Sequence, residues 1–355
     1  MAENPAYALA PLAAASLWGG MYVVSKWGFS AIPPVTLGFL RVALGAVALL
    51  VVVRQARPVR EFSRADHRRF VALGAVVTAT IVTQFLGTDL TNASQGALLT
   101  VLTPVFTLLL GVTALSEPLT LRKVSGMTLA AVGTLVVLAG QYDLTRMTGG
   151  NAAGIAALLA ASLAWAAYTV YGKSLVRTYS ALETATYSTI AAVPMLGVLA
   201  AGELAVSGHR LGEVPLTLSV VGAVLYLGLA SIVAAWYLRY RENNAALLRI
   251  VVAIITGVPV VVSLIWTVML VPMTLPVVGA VIYLGVLSTA AAWYLWYKGL
   301  EYVDAGTVAV FFFIQPLVGT LLGALLLQEA IGPGFVAGGV VMAVGVYVVS
   351  RSTTS

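Results

Sequence analysis

Apolar residues run along this chain in long blocks, separated by short clusters of Gly, Pro and charged residues, and the blocks lack the period-two alternation of a membrane strand. A block of about 20 residues suffices to cross the hydrocarbon core of a bilayer as a helix. Backbone groups have no water to bond with there, so helices are favoured over irregular chain. The pattern predicts helices at 6–29, 35–53, 69–91, 95–115 and 121–140. A polar stretch, QYDLTRMTGGN, follows, and then helices at 152–174, 182–205, 216–238, 246–270, 275–297, 305–327 and 332–350. The fold class is an all-α integral membrane protein with about twelve transmembrane helices.

Composition agrees. The 355 residues are 60% hydrophobic and 9% charged, with a mean hydropathy of +0.99, whereas soluble domains carry about 25% charged residues. The net charge of +6 does not point to nucleic acid, because the arginines gather in short loops where they set topology. The most basic segment, RQARPVREFSRADHRR, follows the second helix and is expected on the cytoplasmic side, which puts both chain ends there. A lipid headgroup or partner site is the lesser reading of that loop. No cysteine is present, so thiolate chemistry is excluded. The opening MAENP lacks the basic segment of a signal peptide, and the first block reads as a retained helix.

Two internal repeats stand out. AASLWGGMYVVSK, with Trp18 and Lys26, matches AASLAWAAYTVYGK, with Trp165 and Lys173. NASQGALLTVLTPVFTLLLGVTALSEPLT matches VDAGTVAVFFFIQPLVGTLLGALLLQEAIG without a gap, pairing Pro104 with Pro316 and Glu117 with Glu329. Five helices precede the second copy, so the two copies enter the membrane in opposite orientations, as in the inverted repeats of secondary transporters. A tandem repeat relates 213–240 to 270–297 at about two positions in three, and reads as a duplicated helical hairpin at about 213–269.

The segments LWGGMYVVSK, PPVTLGFLRVALGA and ALLTVLTPVFTLLLGVTALSEPLTLRKVSGMTLAAVGTLVVL carry a resemblance, continued by YLGVLSTAAAWYLWYKGLEYVDAGTVAVFFFIQPLVGTLLGALLLQEAI. In that order, and occurring twice, they resemble the EamA-type members of the drug/metabolite transporter superfamily. The resemblance implies a ten-helix core of two inverted five-helix repeats, here 1–141 and 152–350, joined by a linker at 142–151 and followed by a short tail at 351–355. The duplicated hairpin is the departure from the pattern. The resemblance also implies a secondary transporter of an inner membrane, exporting amino acids or related small metabolites by alternating access. The alternatives are a channel, or a membrane protein whose extra hairpin has disabled the cycle. The expected partners are a small metabolite and the lipid bilayer. No cofactor or metal is expected, and oligomeric state is left open.

A translocation path needs polar or aromatic groups facing a wet cavity. Trp18, Tyr22, Trp165, Tyr168 and Tyr171 lie on the first helix of each half, and Trp293 on a later one. Each reads equally as packing or as an interface anchor. Arg41 lies about two turns inside the second helix, where a guanidinium either forks onto a substrate carboxylate or pairs with backbone carbonyls. Gln84, Thr103 and Gln315 are uncharged polar groups deep in helices, the last two beside the helix-bending Pro104 and Pro316. Lys26 and Lys173, near opposite faces, read as snorkelling or gate contacts. Acids and histidines fall at helix ends or in loops, so a proton relay is not supported. No phosphate-binding Gly-rich loop and no nucleophile–base cluster appears, which argues against ATP hydrolysis and against an enzyme.

Overall fold

A computed structural model describes residues 10–56, 60, 62–91, 96, 99–100, 102–141, 152–206, 274–327 and 333–350. The duplicated hairpin at 213–269, the linker, Glu329 and the tail lie outside the described residues. The described chain is helical throughout. α1 is Ala10–Trp18, α2 Met21–Gly28, α3 Pro34–Ala56, α4 Arg64–Leu90, α5 Leu102–Leu115 and α6 Leu121–Gln141. α7 is Ala152–Thr178 and α8 Ala181–Val206. α9 is Leu275–Leu300, α10 Ala305–Val310, α11 Ile314–Leu327 and α12 Pro333–Ser350. Five of these (α3, α4, α7, α8 and α9) are 23 to 27 residues long and apolar enough to cross a membrane. At about 1.5 Å per residue each exceeds a hydrocarbon core of about 30 Å.

The pattern predicted one helix over 6–29, but the structure breaks it at Gly19–Gly20 into α1 and α2. A Cβ on Gly19 would lie 2.6 Å from the Val318 side chain, so the break lets α11 pack against the end of α1. α9 is wound as a π-helix over Tyr283–Ala291. α10 passes into α11 through a 3-10 turn at Phe311–Phe313, just before Pro316. Both irregularities fall beside the central cavity.

The bundle packs α4 on α7 and α8, and α3 on α8 and α9, while α6 lies against α12. Lipid tails are as apolar as leucine, so helices associate through close packing of small residues. Gly126 and Gly133 on α6 meet Gly345 and Gly338 on α12 in antiparallel register, with backbone touching backbone. The sequence repeat that pairs Pro104 with Pro316 also pairs Gly126 with Gly338 and Gly133 with Gly345.

Acids at helix ends hold other helices. The Glu203 carboxylate accepts from the Val35 and Thr36 N–H groups at the start of α3. Glu301 accepts from Ala181 N–H at the start of α8. Glu117 accepts from Ala305 and Gly306 at the start of α10. Each satisfies orphan donors that water would otherwise serve. Buried hydroxyls, such as those of Thr78, Thr107, Thr134 and Thr189, donate to carbonyls one turn back in their own helices.

A Cβ on Gly133 would sit 2.4 Å from the Met342 nitrogen. Gly133→Val is therefore expected to prise α6 from α12 at a cost of at least about 1–3 kcal/mol. Thermal unfolding of the detergent-solubilised chain should show a lowered midpoint. Gly202→Ala, where a Cβ meets nothing within 4 Å, serves as the control and should leave the midpoint unchanged.

Candidate functional site

The π-helical winding of α9 prepares the centre of the site. In an α-helix the Ala292 N–H would bond the carbonyl four residues back, at Ser288; here it reaches Leu287 and Thr289 instead. The Ser288 carbonyl does not receive that N–H, and accepts from Trp18 Nε1 at 2.7 Å and from Arg41 Nη2 at 3.1 Å. Arg41 Nε donates to Thr289 Oγ1 at 2.7 Å, and Nη1 approaches the Met21 thioether at 2.8 Å. Gly45, one turn along α3, makes this possible, because a Cβ there would lie 2.6 Å from the Thr289 methyl. Arg41 is 2% exposed, and the Phe85 ring lies 5.7 Å from its guanidinium carbon. Among the described residues no carboxylate pairs with it.

Arg41 lines a small cavity of about 30 Å³ between the helices. Trp18, Trp165, Trp293 and Phe312 give it aromatic walls. Gln84, Thr103, Ser162 and Gln315 add neutral polar groups. Thr103 and Gln315 each stand directly before a proline, and the chain is tightened there. Thr103 N–H bonds Thr100 O, and the 3-10 turn precedes Gln315. Among the described residues, the Thr103 hydroxyl, both ends of the Gln315 amide, and the indole N–H groups of Trp165 and Trp293 have no hydrogen-bond partner. A buried polar atom left bare costs free energy unless something fills the space beside it.

On one side the cavity rests on packed rings. Trp18 meets Trp165 edge-on at 5.1 Å and Phe312 at 5.3 Å, and Trp296 meets Phe312 edge-on at 5.0 Å. Trp296 Nε1 donates to Thr169 Oγ1, and Tyr297 donates to the Tyr168 carbonyl. Two turns further along α7 lies a buried ionic cluster. Lys173 bonds Glu117 at 2.9 Å and Asp304 at 3.3 Å, and Lys123 bonds Asp304 at 3.0 Å. Ser116, with φ of 54°, turns the chain so that the Glu117 carboxylate faces Lys173 and the start of α10.

With this geometry the chain can be compared with known proteins. A family model described as "EamA-like transporter family" matches residues 5–139 and 218–351. This chain belongs to the EamA-like transporter family. An "Uncharacterized transporter" of Archaeoglobus fulgidus is 23% identical over 338 residues, 95% of each chain. The "Putative permease-like protein YdzE" of Bacillus subtilis is 50% identical over 69 residues, 19% of this chain and 88% of its own. One solved crystal structure superposes with a TM-score of 0.64 over 99% of both chains at 15% identity, a likeness of fold alone. The protein is a multi-pass membrane protein of the drug/metabolite transporter type.

In this EamA-like chain the predicted site residues divide into groups. Trp18, Arg41, Gln84, Thr103, Trp165, Trp293 and Gln315 converge on the cavity. Tyr22 stands behind Gln84, whose amide donates to its hydroxyl at 2.9 Å. Tyr168 is buried among the floor rings and shares a hydrogen bond with Ser188. Tyr171 does not reach the cavity. It is 52% exposed, in a groove beside Arg69. Lys173 joins the ionic cluster, while Lys26 donates to the Thr88, Asp89 and Thr91 carbonyls at the end of α4. Met21, Ser162, Trp296 and Phe312 were missed. Trp296, one turn from Trp293, and the Phe311–Phe313 run beside Gln315 were the available signals.

The Glu117–Lys173 pair is buried on both sides, so removing one partner is expected to cost about 3–5 kcal/mol. Glu117→Gln and Lys173→Met should each destabilise strongly, and the double variant should recover part of the loss in a double-mutant cycle of thermal unfolding. Independent, additive losses would refute the coupling. Burial alone would raise the Asp304 carboxyl, yet the Lys123 and Lys173 ammonium groups hold it below its ordinary value. Its contribution is therefore complete above the usual aspartate range, about pH 4, and is lost only as pH falls below it. Unfolding midpoints should be insensitive to Asp304→Asn below that range and sensitive at neutral pH.

Proposed function

We propose that this chain is a secondary transporter, a facilitator or exchanger, that exports small metabolites, amino acids or related carboxylates, by alternating access. The carrying observation is the cavity around Arg41: a buried guanidinium without a carboxylate partner among the described residues, beside five polar atoms that the fold leaves bare. In an apolar bundle such groups are costly unless they serve a ligand or ion path. Aromatic walls suit the apolar part of an amphipathic metabolite, and the guanidinium suits its carboxylate.

The cycle rests on a ten-helix core of two inverted repeats, with both chain ends in the cytoplasm of an inner-membrane protein and the duplicated hairpin as an addition. Support comes from the glycine pairs that are matched in sequence and meet antiparallel between α6 and α12, and from Trp18 meeting Trp165. The ring floor and the ionic cluster then form the inner closure. Lys123 and Glu117 come from the first repeat, Lys173 and Asp304 from the second, so the two repeats separate there only when those pairs part.

The test is release of metabolites from cells expressing the chain, followed by counterflow in proteoliposomes with whatever is released. Arg41→Ala, and Trp18→Ala with Trp165→Ala, are expected to lower transport about tenfold or more at matched membrane levels, as for loss of a charge-assisted bond. Unchanged transport of a carboxylate in Arg41→Ala overturns its role. Flux without counterflow would mark a channel.

A further inference from the structure

We infer that the cavity selects small monoanions, carboxylates with an apolar body and no ammonium group, over zwitterionic amino acids. The inference rests on the transport reading above and narrows its substrate class.

The charge inventory of the cavity carries it. Among the described residues that line it, Arg41 alone is ionised; the other polar contributors are hydroxyls, amides and indoles. Arg41 has five N–H donors. Within the described residues it uses one on Nε and one on each terminal nitrogen, for Thr289, Met21 and Ser288. One donor on each terminal nitrogen is left, as many as the two oxygens of a carboxylate can accept. A monoanion in that position makes the cavity neutral, and the aromatic walls of Trp18, Trp165, Trp293 and Phe312 are offered to its apolar body as the cavity widens to admit it.

An α-amino acid fits the same fork less well. Its ammonium is bonded to the carbon that bears the carboxylate, so seating the carboxylate on Arg41 brings a second cation within a few ångströms of the guanidinium. In a poorly polarisable interior that repulsion is felt strongly. No lining carboxylate among the described residues receives the ammonium. Indole faces attract cations only modestly. The unpartnered Thr103 hydroxyl and Gln315 carbonyl accept hydrogen bonds, yet neither carries the charge that would offset Arg41. Both suit a neutral substituent instead, such as a hydroxyl or keto group, with the Gln315 amide offering donor and acceptor together.

The test is a charge series on one skeleton: calorimetric titration of the full-length purified chain at neutral pH with 3-phenylpropionate, phenylalanine and 2-phenylethylamine. The first is expected to bind at least about tenfold more tightly than the second, a difference of about 1.4 kcal/mol, and the amine not to bind. Arg41→Gln should abolish the difference between the first two. Phenylalanine binding as tightly as phenylpropionate overturns the inference, as does a preference that survives in Arg41→Gln. The wild-type series decides the matter even if that variant fails to fold. Failure of all three ligands to bind overturns it as well. Counterflow of a released metabolite, measured separately, then decides whether the transport reading stands without it.

Discussion

A carbonyl that has lost its usual α-helical donor and gained two side chains from other helices holds the centre of this protein together. Inside a lipid-embedded bundle a backbone donor or acceptor has no water to turn to, so each group that leaves the regular helix ladder must be met by another part of the chain. Ser288 is such a group, released by the π-helical turn of α9 and met by Trp18 and Arg41. The same constraint explains the carboxylates at helix starts. Glu203, Glu301 and Glu117 each serve the N-terminus of a different helix, and so tie α8 to α3, the end of α9 to α8, and the α5–α6 connection to α10. With 9% charged residues, the chain places its few acids where they do structural work.

Against that background the exceptions carry meaning. Threonines along α4, α5, α6 and α8 satisfy their hydroxyls one turn back. Around the cavity, Thr103, Trp165, Trp293 and Gln315 do not find partners among the described residues. Two of them stand beside prolines, where the helix cannot close its own ladder and the backbone is already irregular. Five bare polar atoms, two helix distortions and the buried cation thus lie around one cavity.

Two kinds of contact join the described helices. Between α6 and α12 the glycines allow backbone-to-backbone packing that depends on shape alone. Between α5–α6 and α7–α10 the contact is ionic, with Lys173 shared between Glu117 and Asp304. A shared cation has alternative partners and can trade them, whereas interlocked backbones separate only with a large loss of dispersion energy.

The membrane class, the helical blocks, the repeats and seven of the cavity residues were legible in the sequence, because hydropathy and period are local properties and a bilayer imposes a single length scale. The resemblance to EamA-type transporters was legible for the same reason, as ordered local segments. The break at Gly19–Gly20 was not, since the need for it arises from Val318, far away in the chain. Nor was the π-turn, whose effect is to hand Ser288 to Arg41 across the bundle. Tyr171 shows the same limit from the other side: it shares a helix with Trp165 and Tyr168, yet faces outward beside Arg69. Glu117, Glu203 and Glu301 read as residues of helix ends or loops, although each caps a helix remote in sequence. What tertiary structure alone decided was the pairing of polar groups, because a hydrogen bond depends on direction and distance between segments that sequence order does not relate.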